Sequence, residues 1–229
     1  TPFEFATAAR VMFGAGVAGQ IADVAAGLGS RALVVTGSDP QRATLAGARV
    51  VGESWLVRGE PSVADIAAGL AFARARGCDV VVAIGGGSAL DAGKAIAALL
   101  TNEGEALDYL EVVGRGRTLA RAAAPVVAVP TTAGTGSEVT RNAVLAAEGV
   151  KVSLRSPGML PRVAIVDPLL TLSRIAQLAA DMPRDLIEYN SGNASVSQDP
   201  DKVQSVDLDP VEVVNRIQTA GAWMVLKRV

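Results

Sequence analysis

The chain has 229 residues, half of them apolar, with a formal net charge of −2 and no histidine. That length and apolar content can bury a core of one large or two smaller domains. The near-neutral charge and 3% aromatic content exclude the basic, ring-bearing surface that a nucleic-acid binder needs. The absence of histidine removes the commonest acid/base and metal-binding side chain from any mechanism. Cys78 is alone, so no intramolecular disulfide forms, which suits a reducing cytoplasm. No charged-then-apolar leader and no span-length apolar run is visible. Small molecules are the expected partners, with no nucleic acid and no membrane.

In chain order, AGVAGQIADVAAGLG (15–29) predicts a first amphipathic helix, and RALVVTG (31–37), a β-branched run closed by glycine, predicts a buried strand. SVADIAAGLAFARARG (62–77) predicts a second helix with Val63, Ile66, Ala67, Leu70 and Ala73 on one face. Arg74 and Arg76 fall near its C-terminal end, where the helix dipole favours cations, and Gly77 stops it. CDVVVAIGGG (78–87) and APVVAVP (124–130) repeat the strand design, and SALDAGKAIAALLTN (88–102) is helical. Arg115, Arg117 and Arg121 read as a solvated loop or helix edge. The alternation predicts an α/β fold, a Rossmann-like, mostly parallel sheet with flanking helices. Beyond residue 173 the chain turns polar and rich in turn formers, until DPVEVVNRIQTAGAWMVLK (209–227) predicts a helix capped by Asp209 with Pro210 in its first turn. The expected organisation is an α/β domain over 1–173, then a short helical or irregular segment over 174–229.

The stretch AIGGGSALDAGKAIA (83–97) places three glycines where a strand hands over to a helix. Backbone without Cβ admits close approach, and in an open α/β sheet ligands sit at the carboxyl ends of the strands. Ser88 with Asp91 has the spacing of a capping box, and the helix N-terminus offers free N–H groups to an anion such as pyrophosphate. Lys94, about two turns in, adds a charge that such an anion could use. Two familiar phosphate motifs do not match: Ser88 and Ala95 break the P-loop pattern, and Leu90 stands where the last glycine of G-x-G-x-x-G belongs. The alternative is a tight turn whose glycines serve geometry only. PTTAGTGSE (130–138) follows another strand and brings Thr131, Thr132, Thr135 and Ser137 to the same sheet edge. Those hydroxyls either line a cleft or close local turns.

GGGSALDAGK and PTTAGTGSEVT together resemble the two signature segments of the iron-containing (group III) alcohol dehydrogenases, a family that includes lactaldehyde and maleylacetate reductases. The likeness runs from RVMFGAG to VKVSLRSPGMLPRVAIVDPLLTLS, about residues 3–173. It implies an NAD- or NADP-dependent oxidoreductase acting on a small-molecule alcohol or aldehyde, cytoplasmic and homo-oligomeric. By the same resemblance Gly86, Gly87 and Ser88 hold the cofactor pyrophosphate, and Asp91 shapes that turn near the nicotinamide. Thr131, Thr132 and Thr135 line the adenine and ribose side. Asp39 resembles the acidic residue that bonds the ribose diol and repels a 2′-phosphate, and Lys151 contacts the ribose. The family's divalent metal, Fe²⁺ or Zn²⁺, is held by an Asp and three His in a later helical domain. This chain has no His, so its metal ligands are none and its catalytic residues unknown. Asp181, Asp185 and Glu188 read as solvated. Two alternatives stay open: a non-catalytic nucleotide-binding module of the same family, and a dehydroquinate-synthase-like lyase.

Overall fold

The computed structural model describes residues 6–47 and 51–171. Those up to Asp167 form one compact unit. Among the described residues there are eight strands: β1 (Arg10–Phe13), β2 (Arg31–Thr36), β3 (Val51–Leu56), β4 (Val80–Gly85), β5 (Val126–Pro130), β6 (Asn142–Ala147), β7 (Val150–Arg155) and β8 (Val163–Val166). The helices are α1 (Ile21–Ala26), α2 (Val63–Ala75), α3 (Gly87–Thr101) and α4 (Ala106–Tyr109). Six strands make one sheet in the order β1-β8-β5-β4-β2-β3, every pairing parallel. β4 and β5 at its centre are buried along their whole length, as continuous Val-rich strands covered on both faces must be.

The three predicted strands form as β2, β4 and β5. β1, β3 and β8 lie outside the predicted runs; β1 and β8 pair Arg10 with Val163, a partnership only the folded chain supplies. The predicted first helix is shorter than its pattern. Gly14 and Gly16 adopt φ of 155° and 80°, so a 3-10 turn at Val17–Gln20 precedes α1. α2 starts at a capping box, Ser62 with Asp65, and buries Ile66, Gly69, Leu70 and Ala73. This is an i, i+3, i+4, i+7 stripe, and Ala67, expected on it, is exposed. Arg115, Arg117 and Arg121 are exposed, as expected.

β6 and β7 form a separate antiparallel hairpin. Its two-residue loop, Glu148 and Gly149, has positive φ at both positions, the requirement of a type I′ turn. The hairpin packs on α3. No helix among the described residues is long and apolar enough to cross a membrane. The helix expected over 209–227 and the carboxylates Asp181, Asp185 and Glu188 lie outside the described residues.

Along the sheet, the chain passes outward from β2 to β3 and then, from β4, in the opposite direction to β5 and β8. The direction reverses between β2 and β4. A crevice opens at the carboxyl ends of strands at such a switch point, flanked here by the loops after Thr36 and after Ile84, which are register partners.

Candidate functional site

β4 ends at Gly85 and α3 begins at Gly87, so the strand hands over to the helix within two residues. The N-cap is Gly86, with extended backbone at φ −77° and ψ −174°, and no side chain caps the helix among the described residues. The first intrahelical bond runs from the Leu90 N–H to the Gly86 carbonyl at 3.2 Å. The N–H groups of the first turn are thus available to an outside acceptor, and the helix dipole biases that acceptor towards an anion. Gly93 seats the helix: a Cβ there would stand 2.6 Å from Ala83 Cβ, inside the contact by which α3 lies on β4.

The capping box expected at Ser88 and Asp91 does not form. The helix cap falls two residues earlier than predicted, at Gly86, leaving Ser88 exposed inside the first turn. The Asp91 carboxylate turns instead to the hairpin side, accepting from Ser137 Oγ at 2.5 Å and from the Val144 N–H at 3.1 Å. The reason is local demand: the Val144 N–H and the buried Ser137 hydroxyl need an acceptor where water is scarce.

The loop after β5 forms the second wall. Thr131 is buried, and its N–H donates to the Gly85 carbonyl at 2.9 Å. A Cβ on Gly86 would lie 3.2 Å from Thr132 Oγ1, and one on Gly87 3.2 Å from Thr135 Cγ2. The glycine loop and the threonine loop are therefore packed at a separation that side chains on Gly86 and Gly87 would invade. Thr135 Oγ1 also accepts from the Ser137 N–H at 3.4 Å, holding the turn.

The third wall follows β2. Asp39 caps the 3-10 turn Pro40–Ala46, accepting from the Gln41 N–H at 3.0 Å. Its other oxygen pairs with Arg42 Nε at 3.3 Å, and Arg42 Nη1 donates to Thr131 Oγ1. Arg42 was not among the sequence candidates, although its position three residues after Asp39 is the spacing at which the two side chains meet. The structure thus gathers Asp39, Gly86, Gly87, Ser88, Thr131, Thr132 and Thr135 at the ends of three adjacent strands, with Asp91 just inside α3. Lys151 lies on β7, exposed and paired with Glu60 at 2.9 Å.

Lys94 does not serve the anion position considered from the sequence. It is fully buried, and its Nζ donates to the carbonyls of Ser137, at 2.9 Å, and Asn142. Asp91 Oδ1 is 3.1 Å away. Burial pushes the Lys94 pKa below the usual lysine value, opposed by the charge of Asp91. Its side chain points to the 137–142 segment rather than along the helix to the glycines, so it fastens the threonine loop to α3. Glu138, in the same segment, is pushed above the usual carboxylate range by burial, and its Oε2 has no hydrogen-bond partner among the described residues.

A sequence model of the iron-containing alcohol dehydrogenases matches residues 8–168. The chain belongs to that family. It is 43% identical over 130 residues to a 4-hydroxybutyrate dehydrogenase of Cupriavidus necator, covering 56% of this chain and 34% of the relative. It is 39% identical over 149 residues to a 1,3-propanediol dehydrogenase of Klebsiella pneumoniae, covering 64% and 37%. Among solved structures, a sulfoacetaldehyde reductase from Bifidobacterium kashiwanohense in complex with NAD⁺ superposes with a TM-score of 0.67 at 34% identity, over 76% of this chain and 48% of that one. The chain spans less than half the length of each of these relatives.

The family uses NAD(H) and a divalent metal. The dinucleotide fits the residues present: bare glycine backbone and an uncapped helix N-terminus meet at the switch point. A metal does not: no group of three or more His, Cys, Asp or Glu side chains is assembled among the described residues.

Proposed function

We propose that this chain is the nucleotide-binding part of an oxidoreductase that passes a hydride between NAD(P) and a small alcohol or aldehyde. The observation that carries the reading is the uncapped N-terminus of α3 behind Gly86, at the switch point of a parallel sheet. A dinucleotide's pyrophosphate is the acceptor those first-turn N–H groups lack. In this reading Gly86, Gly87 and Ser88 contact the pyrophosphate through their backbone. Thr131, Thr132 and Thr135 face the adenosine side, and Asp39 reaches the ribose from the loop after β2. Asp91 holds the glycine turn against the hairpin through Ser137 and Val144, and Lys151 is assigned to the ribose. The bound nicotinamide supplies hydride chemistry; the protein's share, in these residues, is binding and orientation.

The proposed domain runs to about residue 173. Cytoplasmic residence and self-association belong to the same reading. The first is supported by the single, unpaired Cys78. The second is supported by the outer strand β1, whose Val11 and Phe13 are half exposed.

Calorimetric titration of the purified chain with NAD⁺ and NADH tests the proposal. Saturable binding at micromolar to millimolar concentration, displaced by ADP-ribose, is the expected result. No binding of either form at about 1 mM, the weak end of ordinary affinities, would overturn it.

A further inference from the structure

Arg42 ties together two of the loops that form the proposed site. It lies on the 3-10 turn Pro40–Ala46, and its side chain is only 18% exposed. Nε donates to Asp39 Oδ2 at 3.3 Å, and Nη1 donates to Thr131 Oγ1. Because β2, β4 and β5 are consecutive in the sheet, a side chain reaching from the loop after β2 to the residue after β5 crosses the end of β4, where the glycines lie.

Two consequences follow for a ribose placed beside Asp39. First, the negative charge of Asp39 is matched by a guanidinium, so its repulsion of a second phosphate is offset. Second, a guanidinium carries five N–H donors in a planar fork, and the contacts to Asp39 and Thr131 leave donors over. The Asp39 side chain is 49% exposed, and an ion pair so open to solvent is weak. A dianionic phosphate meeting the same fork forms shorter, charge-assisted and often bidentate bonds. Lys94 offers no competing charge, being turned to Ser137 and Asn142.

We propose that Arg42 is a specificity-determining residue that recognises a 2′-phosphate on the cofactor ribose, so that the site takes NADP(H) alongside NAD(H). The proposal rests on the dinucleotide reading above. In it the Asp39 carboxylate serves the ribose diol of NAD, and Arg42 leaves Asp39 for the phosphate of NADP.

The test is calorimetric titration of the full chain with NADH and with NADPH, for the wild type and for Arg42→Gln, Arg42→Lys and Asp39→Asn. The wild type is expected to bind both. Arg42→Gln lowers the ratio of NADPH to NADH affinity about tenfold or more, a change of one decade in Kd. Arg42→Lys, keeping the charge without the fork, lowers it less. Asp39→Asn raises it. Circular dichroism establishes that each variant is folded, and if Arg42→Gln is not, the ratio in Arg42→Lys decides. An unchanged ratio in a folded Arg42 variant overturns the proposal. Equal loss for both cofactors does so too, since it places Arg42 on the shared pyrophosphate. If the wild type binds neither dinucleotide, the underlying nucleotide reading fails, and this inference with it.

Discussion

Lys94 and Asp91, one turn apart on α3, form an ion pair of 3.1 Å with the lysine wholly out of solvent. The same ammonium holds the Ser137 and Asn142 carbonyls, and the same carboxylate holds the Ser137 hydroxyl and the Val144 N–H. The pair therefore fastens the threonine loop and the hairpin to the helix whose N-terminus faces the crevice. Replacing Lys94 with Met retains the bulk but leaves the Asp91 carboxylate without its counter-charge and removes the ammonium donor from both carbonyls, and breaking a buried pair from one side costs about 3–5 kcal/mol. A lowered urea midpoint for Lys94→Met, by an amount of this order, is the expected result. A midpoint within error of the wild type would show that the pair holds nothing.

Glu138 makes stability depend on pH. Its folded-state pKa is raised, chiefly by burial, so between its ordinary and its raised value the folded chain binds more protons than the unfolded one. Stability from this group is complete below the ordinary carboxylate pKa and is lost as pH rises through the raised value. Glu138→Gln, neutral and of similar shape, is expected to gain stability relative to the wild type as pH climbs from about 4 to 7, since the unperturbed Glu pKa is near 4.3. Chemical denaturation of both proteins across that range measures the gap, and a gap independent of pH contradicts the assignment.

Gly86→Val separates folding from binding. The extended backbone at this position suits a β-branched residue, so the fold is expected to survive. The new Cβ, 3.2 Å from Thr132 Oγ1, forces the threonine loop away from the glycine loop. NADH affinity should fall by about two decades, equivalent to roughly 2.7 kcal/mol, with an unchanged circular dichroism spectrum. Retained affinity in the folded variant would remove this loop from the site.

Ser62→Ala should weaken α2 without touching the crevice. The Ser62 hydroxyl accepts from the Asp65 N–H at 3.1 Å, and Asp65 Oδ2 accepts from the Ser62 N–H at 2.9 Å. Losing such a cap costs about 1 kcal/mol. Thermal denaturation should register the loss while NADH titration gives the wild-type affinity; a change in affinity would couple α2 to the site.

The amino-acid order by itself determined the central strands, the two long helices and the two glycine- and hydroxyl-bearing loops. Those signals are local: β-branched runs closed by glycine mark β2, β4 and β5, and a 3.6-residue period marks α2 and α3. The family resemblance rested on the same two loops, because the residues that approach a ligand are strung on short contiguous segments. Tertiary structure decided what local pattern cannot carry. β1 and β8 are partners 153 residues apart, Arg10 with Val163, and the apolar residues of β1 have no periodicity to announce that pairing. The spacing of Ser88 and Asp91 suits a cap, yet Asp91 goes to Ser137 and Val144, because buried donors on a neighbouring segment compete for the same carboxylate. Lys94 looked like a phosphate ligand by its position along the chain and became an anchor by its direction around the helix. Arg42 entered the site because the end of β5 lies within reach of a turn that begins some 90 residues earlier, a proximity created by the order of strands in the sheet.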